Sequence, residues 1–189
     1  MTYYLVALDV TGIQSYLFGS NRLVENIGAS EIVAQATERW LFEIANNLDL
    51  RHNFMFTGEF DYQAENWFDS TKSLESGNVD LEVLFAGGGN AVLLFNEAHG
   101  EDKTGLATNF IQALSERILE KAPGLKMAVA LRAFDMSKDV LQDVYDDLWK
   151  NLAKKKAEQQ PSRPLLGISV SADCNSTGLP AVAVDEDNT

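Results

Sequence analysis

The sequence has little cysteine and no long apolar segment, and both absences exclude classes of protein. Cys174 is the only cysteine among 189 residues, so the chain forms neither an intrachain disulfide nor a cysteine-based zinc site. A lone cysteine is typical of a reducing compartment, and we expect a cytoplasmic protein. The first residues lack the basic start and apolar run of a signal peptide, and no stretch approaches the ~20 apolar residues of a membrane span. We therefore expect no membrane contact.

Positive charge is also scarce. The chain has 15 Lys and Arg against 28 Asp and Glu, which gives a formal net charge of -13. Binding to a nucleic acid backbone needs clustered cations that release counterions, so direct nucleic acid binding over the whole surface is not expected. The run Lys154 to Lys156 is predicted to be a solvated helix end. The two histidines, His52 and His99, lie in polar segments and are predicted to be at the surface.

The apolar pattern that is present predicts four strands around a glycine turn, followed by a fifth. Hydrophobic residues make up 46% of the chain, enough for the core of one domain. The predicted strands are Tyr3–Leu8, ending at Asp9, then Leu81–Phe85, Ala91–Phe95, Leu125–Ala133 and Leu165–Val170. The second and third are separated only by Ala86 and the turn residues Gly87 to Asn90, and they form a predicted β-hairpin.

Four helices are predicted between and after these strands. They are a short helix over Gly12–Gly19, a long one capped by Ser30 and ending near Asn47, one from Thr104 to Pro123, and one from Ser137 to Lys156. The order predicts an α+β fold, a ferredoxin-like palm with a mainly antiparallel sheet and helices on one face. We expect a palm domain over residues 1–172 with an insertion at about 51–78, then a flexible tail or the start of a missing C-terminal region at 173–189.

Three segments carry a resemblance to a known family. Leu8–Gln14, Asn21–Ser30 and Phe85–Asn90 resemble the palm of the large polymerase-like subunit of type III CRISPR effector complexes. More distantly, they are similar to the nucleotidyl cyclase palm of GGDEF diguanylate cyclases. The match extends over Tyr3 to Val170, and Ala172–Ala181 resembles the junction at which such subunits continue into a Cys-rich region.

The resemblance implies a metal site at the tip of the first strand. In palms that transfer nucleotides, an Asp of strand one and a Gly-Gly-Asp-Asp hairpin hold two divalent ions, which stabilise the attacking and leaving oxygens. Asp9 matches the strand-one Asp, whereas Gly89 and Asn90 stand where the hairpin has its acidic residues. The implied ligands are therefore Asp9 and Asn90, with Mg²⁺ or Mn²⁺ and a nucleoside triphosphate as cofactors. Glu59 or Asp61 of the insertion is a further source of carboxylate.

Nucleotide binding does not need the missing carboxylates. We expect a triphosphate at the backbone of Val10, Thr11, Gly12, Ile13 and Gln14, which leads into a helix N-terminus. Gly88 and Gly89 allow a ligand to approach the hairpin backbone. The resemblance adds Ser30 as a contact to a base or ribose, and Arg22 as a weaker contact to phosphate.

Each of these residues has a structural explanation as well. Gly87 to Gly89 can close a tight hairpin without any ligand. Asp9 can cap the following helix, Ser30 can be a plain N-cap, and Gln14 can face solvent.

Three hypotheses follow. The first is a nucleotide-binding or scaffolding palm of an antiviral CRISPR-type assembly, with a degenerate metal site and no catalysis. Its expected partners are a nucleotide and either other CRISPR effector subunits or a second copy of the chain. The second is an active nucleotidyl cyclase or cyclic oligonucleotide synthase with atypical metal ligands. The third is an unrelated ferredoxin-like interaction domain.

Overall fold

A four-stranded antiparallel sheet organises the chain in a computed structural model that describes residues 2–55, 68–96 and 105–158. The order across the sheet is β2-β3-β1-β4, and every neighbouring pair is antiparallel. The strands are β1 (Thr2–Thr11), β2 (Leu81–Gly87), β3 (Asn90–Asn96) and β4 (Lys126–Asp135). The interior strand β1 pairs along its length with both β3 and β4.

Helices connect the strands in the way that a ferredoxin-like fold requires. They are α1 (Ile13–Leu17), α2 (Leu23–Thr37), α3 (Arg39–Asn47), α4 (Leu106–Lys121) and α5 (Leu141–Glu158). The first three lie between β1 and β2, and α4 lies between β3 and β4, so two crossovers surround one hairpin. The predicted α+β, ferredoxin-like palm is thus confirmed, and the hairpin strands are longer than the pattern indicated.

Successive apolar side chains of β1 point to opposite faces of the sheet, and both faces of the strand are buried. Val6, Leu8 and Val10 belong to a core that includes residues of α2, α3 and α4. Tyr3, Leu5 and Ala7 point the other way and pack with α5. The prediction that helices cover one face is therefore wrong in one respect, since α5 covers the second face. The continuous apolar run of β1 was the signal for this arrangement, because a strand with one solvated face alternates apolar with polar residues.

The predicted long helix is two helices. Between α2 and α3, Glu38 leaves the helical region with φ −134° and ψ −84°. Because α2 begins at Leu23, Ser30 lies inside the helix, and the prediction that Ser30 is an N-cap is wrong. The apolar positions were nevertheless placed correctly, since Val33 and Trp40 are buried on the two sides of the break.

Part of the predicted insertion lies along the edge strand β2. The side-chain amide of Asn53 donates to Val83 O at 3.1 Å and accepts from Val83 N–H at 2.8 Å, which imitates a strand pairing. Arg51 forms an ion pair with Asp80 at 2.6 Å. His52, predicted to be at the surface, is half-buried, and its ring packs edge-on against Phe42 at 5.6 Å.

Several predictions concern residues outside the described part of the chain. These are the strand at Leu165–Val170, the tail at 173–189 with Cys174, the junction-like segment, His99, and the candidate ligands Glu59 and Asp61. Among the residues that the structure describes, no helix combines the length and the apolar character that crossing a membrane requires.

The packing of α5 on the sheet predicts a stability difference between two leucines. Leu148 of α5 is fully buried and Leu119 of α4 is 77% exposed. Leu148→Ala should lower the free energy of unfolding by about 2–5 kcal/mol, because it removes buried methyl groups and leaves a cavity. Leu119→Ala should change it by less than about 0.5 kcal/mol. Urea unfolding of both variants measures the difference, and equal stabilities would show that α5 does not pack on the sheet.

Candidate functional site

The glycine segment forms a two-residue hairpin turn. Gly87 pairs with Asn90, and Gly88 and Gly89 form the turn between them with φ values of 62° and 87°. Two successive positive φ angles are typical of a type I′ turn, which matches the twist of the joined strands. The structural explanation of these glycines as a tight turn is therefore confirmed.

The two turn glycines differ in their surroundings. Gly88 is exposed, and a Cβ atom built on it would meet nothing within 4 Å. Gly89 is buried, and its Cβ would lie 2.8 Å from Ile13 Cδ1 and 3.7 Å from both Val10 Cβ and Val33 Cγ1. Its carbonyl oxygen accepts a hydrogen bond of 2.8 Å from Val10 N–H. Gly89 thus fixes the hairpin to the tip of β1, whereas Gly88 has free space on its Cβ side.

Asp9 and Asn90 lie side by side on this part of the sheet. They are register partners in β1 and β3, and Asp9 also pairs with Ala128 of β4. Paired residues of an antiparallel sheet project to the same face with Cβ atoms ~4.5–5.5 Å apart. The alternation along β1 places this pair on the face that α5 covers. The fold therefore brings together the two residues that the resemblance indicated as metal ligands.

A lysine from the last turn of α5 contacts Asp9. Lys156 Nζ donates to Asp9 Oδ2 at 2.6 Å, and the side chains of Lys156 and Asp9 are 40% and 14% exposed. The neighbouring Lys155 Nζ donates to Val129 O at 2.7 Å. Lys154 to Lys156 are exposed at the end of α5, as predicted, and Lys155 and Lys156 in addition contact the sheet. The missed signal for Lys156 is its spacing of four residues from Leu152, because this spacing places Leu152 and Lys156 on one face of the helix.

The backbone after Asp9 differs from the predicted phosphate site. The amide of Val10 is already bonded to Gly89 O, so it is not available to a phosphate. Gly12, with φ 69°, precedes α1 without a side-chain cap, and α1 has only five residues. The explanation of Asp9 as a helix cap is consequently wrong. Thr11 still belongs to β1, and Gln14 is exposed, as its structural explanation predicted.

The two remaining candidates lie on α2. Ser30 is exposed, one helical turn before Val33, which contacts the Gly89 position. Arg22 is exposed at the start of the helix, and its guanidinium lies 3.7 Å from Glu25 Oε1. Ser30 is thus on the helix that borders the hairpin, whereas Arg22 lies more than two turns farther away along it.

Glu38 is a residue of the site that sequence reasoning missed. It is 7% exposed at the break between α2 and α3, and its Oε1 lies 3.5 Å from the position of a Cβ on Gly87. Burial raises the pKa of Glu38, a hydrogen bond from the Gly88 backbone lowers this pKa, and repulsion from Glu31 raises it. Since the sequence pattern predicted one continuous helix here, nothing marked Glu38 as a residue that turns towards the hairpin.

The described residues do not fit a two-metal site. No group of three or more His, Cys, Asp or Glu that could hold a metal ion occurs within residues 2–55, 68–96 and 105–158. Asp9 is paired with Lys156, and Asn90 offers only a neutral oxygen. Gly89 has neither a side chain nor space for one. Mg²⁺ prefers carboxylate oxygens in octahedral geometry, and one neutralised carboxylate does not supply them.

Comparison with known proteins identifies the fold. No protein-family model and no curated protein matches the sequence. Among solved structures, a Csm1-Csm4 cassette in complex with cA4 matches with a TM-score of 0.57 and 15% identity, over 87% of this chain and 22% of that one. The cassette in complex with one ATP matches with a TM-score of 0.56 and 15% identity, over 86% of this chain and 21% of that one. Csm1 in T. onnurineus matches with a TM-score of 0.54 and 15% identity, over 87% of this chain and 21% of that one.

The matches show that the chain has a Csm1-like palm fold. It spans about a fifth of the length of the structures it matches. The resemblance read from the three sequence segments is therefore confirmed at the level of the fold.

The glycine geometry predicts different tolerance at the two turn positions. Gly88→Ala should destabilise the protein by about 1–2 kcal/mol, which is the cost of a left-handed conformation. Gly89→Ala should cost about 1–3 kcal/mol more, because its Cβ overlaps Ile13. Thermal and urea unfolding of the two variants measure the difference. A Gly89→Ala variant as stable as Gly88→Ala would contradict the packing described for the turn.

The buried Glu38 predicts a pH-dependent difference in stability. Because its folded pKa is raised, its contribution to stability is complete below the ordinary glutamate pKa of about 4.3 and is lost as pH rises through the folded pKa. Glu38→Gln cannot ionise, so its stability relative to wild type should increase between about pH 4 and pH 7. Urea unfolding across this range measures the trend. Glu120→Gln, at a side chain 71% exposed, gives the background, and an equal trend there would contradict the assignment.

Proposed function

We propose that this chain is a Csm1-like palm domain of a type III CRISPR-type assembly, which binds a nucleotide or scaffolds its partners without catalysing nucleotide transfer. One observation carries the proposal. The fold joins the tip of β1 to the glycine hairpin, with Asp9 beside Asn90 and the exposed Gly88 at the turn. The similarity to Csm1 over most of the chain supports the same conclusion.

The site offers a nucleotide several kinds of contact. The segment from Gly12 to Gln14 supplies polar groups for phosphates, whereas the Gly88 backbone is already hydrogen-bonded to Glu38. Ser30, on the helix that borders the hairpin, supplies a hydroxyl for a base or ribose. Lys156, which is paired with Asp9, supplies the remaining N–H donors of its ammonium. These groups suit binding, which needs hydrogen bonds and charge, more than two-metal catalysis, which needs several carboxylates.

Adenine nucleotides are the ligands to test first. The matched cassettes are described in complex with ATP, AMPPNP, pppApA and cA4, and each contains Csm4 beside Csm1. For this chain we propose the same ligand class, and a second protein subunit as the partner in a scaffolding role.

Catalysis by atypical ligands is the second candidate function. The retained Asp9 favours it, because the resemblance implies a metal-binding Asp at the end of strand one. Its ion pair with Lys156 and the lack of space at Gly89 favour the first candidate.

The proposal predicts nucleotide binding that depends on Ser30. ATP titrated into the protein by calorimetry should bind, and Ser30→Ala should weaken the affinity about fivefold, which corresponds to one hydrogen bond of ~1 kcal/mol. Ser115→Ala, an exposed serine of α4 that bonds to Ile111 O, is the matched control and should leave the affinity unchanged. Equal effects of both changes would remove Ser30 from the site.

The same samples separate the candidate functions. After incubation with ATP or GTP and Mg²⁺ or Mn²⁺, chromatography should show only the starting nucleotide. New cyclic or linear oligonucleotides would contradict the non-catalytic proposal. Absence of ATP and GTP binding would refute the nucleotide-binding role and leave an interaction domain.

A further inference from the structure

The interface between α5 and β1 ends in a charged pair. On α5, Val144, Leu148 and Leu152 recur every four residues and are buried, and Lys156 is the next position of this series. On β1, Tyr3, Leu5 and Ala7 recur every two residues on the facing side, and Asp9 is the next position. The last positions of the two series meet in the 2.6 Å contact between Lys156 Nζ and Asp9 Oδ2. The apolar packing before them therefore sets the position of both charges.

The three consecutive lysines of α5 have different contacts. Lys154 lies 3.9 Å from Glu158 on the same helix, and its side chain is 74% exposed. Lys155 is bonded to the backbone of β4 at Val129 O. Only Lys156 of these three contacts a carboxylate of the sheet. The hydrogen bond of Lys155 holds the end of the helix against β4. Together with the packing of the apolar series, it positions the ammonium of Lys156 next to Asp9.

A single positive charge is enough to balance the carboxylate of Asp9. Asp9 supplies one carboxylate here and Asn90 one neutral amide, because Asn90 and Gly89 stand where the palm motif has acidic residues. A carboxylate that is mostly buried needs a compensating positive charge. A single ammonium neutralises Asp9 completely and forms a short charge-assisted hydrogen bond. When no nucleotide is bound, a divalent ion would have to displace Lys156 and would retain an uncompensated charge.

We propose that Lys156 occupies the cation position beside Asp9, so that this site takes its ligand without a divalent metal ion. A phosphate entering beside Asp9 meets an ammonium of the chain itself, and Lys156 is a positioning and binding residue. The part that concerns nucleotides rests on the proposed function, whereas the part that concerns the cation stands on the contact between α5 and β1.

Titration with Mn²⁺ alone tests the cation part. In the ¹⁵N-labelled full chain, substoichiometric Mn²⁺ broadens the amide signals of residues near any bound ion, even when binding is weak. In the wild type we expect no selective broadening at Asp9, Asn90 and Ala128. In Lys156→Met, which keeps the aliphatic stem, we expect selective broadening there, and Lys154→Met should behave as wild type.

A double variant completes this test. Asp9→Asn combined with Lys156→Met removes both charges and should abolish the broadening that Lys156→Met alone produces. Selective broadening at Asp9 in the wild type would overturn the proposal. This measurement uses only the wild-type protein, so it does not depend on whether the variants fold. A Lys156→Met protein with a folded spectrum and no broadening beyond that of Lys154→Met would overturn it as well.

ATP affinity measured with Mg²⁺ and with EDTA tests the nucleotide part. The wild type should bind ATP equally well within twofold in both conditions, and Lys156→Met should bind it at least fivefold more weakly in EDTA than in Mg²⁺. A wild-type affinity that falls tenfold in EDTA would overturn the proposal. If ATP does not bind but the Mn²⁺ results are as expected, the nucleotide-binding role fails while the assignment of Lys156 stands.

Discussion

Burial of β1 on both faces is the constraint on which the rest of the structure depends. This strand pairs with β3 and β4 along its length, and its alternating side chains pack with α2 to α4 on one side and with α5 on the other. A strand held in this way cannot shift its register by one residue, because every side chain would move to the opposite face. The direction of Asp9, at the end of the strand, is therefore fixed by residues that have no part in any chemistry.

The hairpin depends on the same strand. Gly89 packs against Ile13 and Val10 and accepts a hydrogen bond from Val10 N–H, so the turn is held to the tip of β1 rather than projecting from the sheet. This close approach requires a residue without a Cβ, and it excludes a carboxylate at the first acidic position of the palm motif. Geometry and chemistry are coupled here, since the residue that fits the packing is also the residue that cannot bind a metal.

Sequence reasoning predicted the fold from patterns that are local. The β-hairpin followed from its glycines, and the strands and helices from their apolar periodicity, which is why the topology and residues such as Val33 and Trp40 were placed correctly. The missed features are set by contacts over long separations. Glu38 reaches the hairpin through a break in a helix, and Lys156 reaches Asp9 across 147 residues of sequence. No local pattern records which faces two distant elements share, although the continuation of the α5 series to Lys156 is visible once its packing face is known.

Exchange of a metal ion for a lysine changes what such a site can do. Two divalent ions stabilise charge on both the attacking and the leaving oxygen, and they require several carboxylates to hold them. One ammonium balances one carboxylate and donates hydrogen bonds, but it cannot bridge two oxygens of a reacting phosphate and also remain paired with Asp9 in the same geometry. Loss of the acidic hairpin residues alone would leave Asp9 as a mostly buried, uncompensated charge, which is costly. Lys156 removes that cost, so the lack of acidic residues in the hairpin and the lysine at the end of α5 are consistent with each other and with a role in binding.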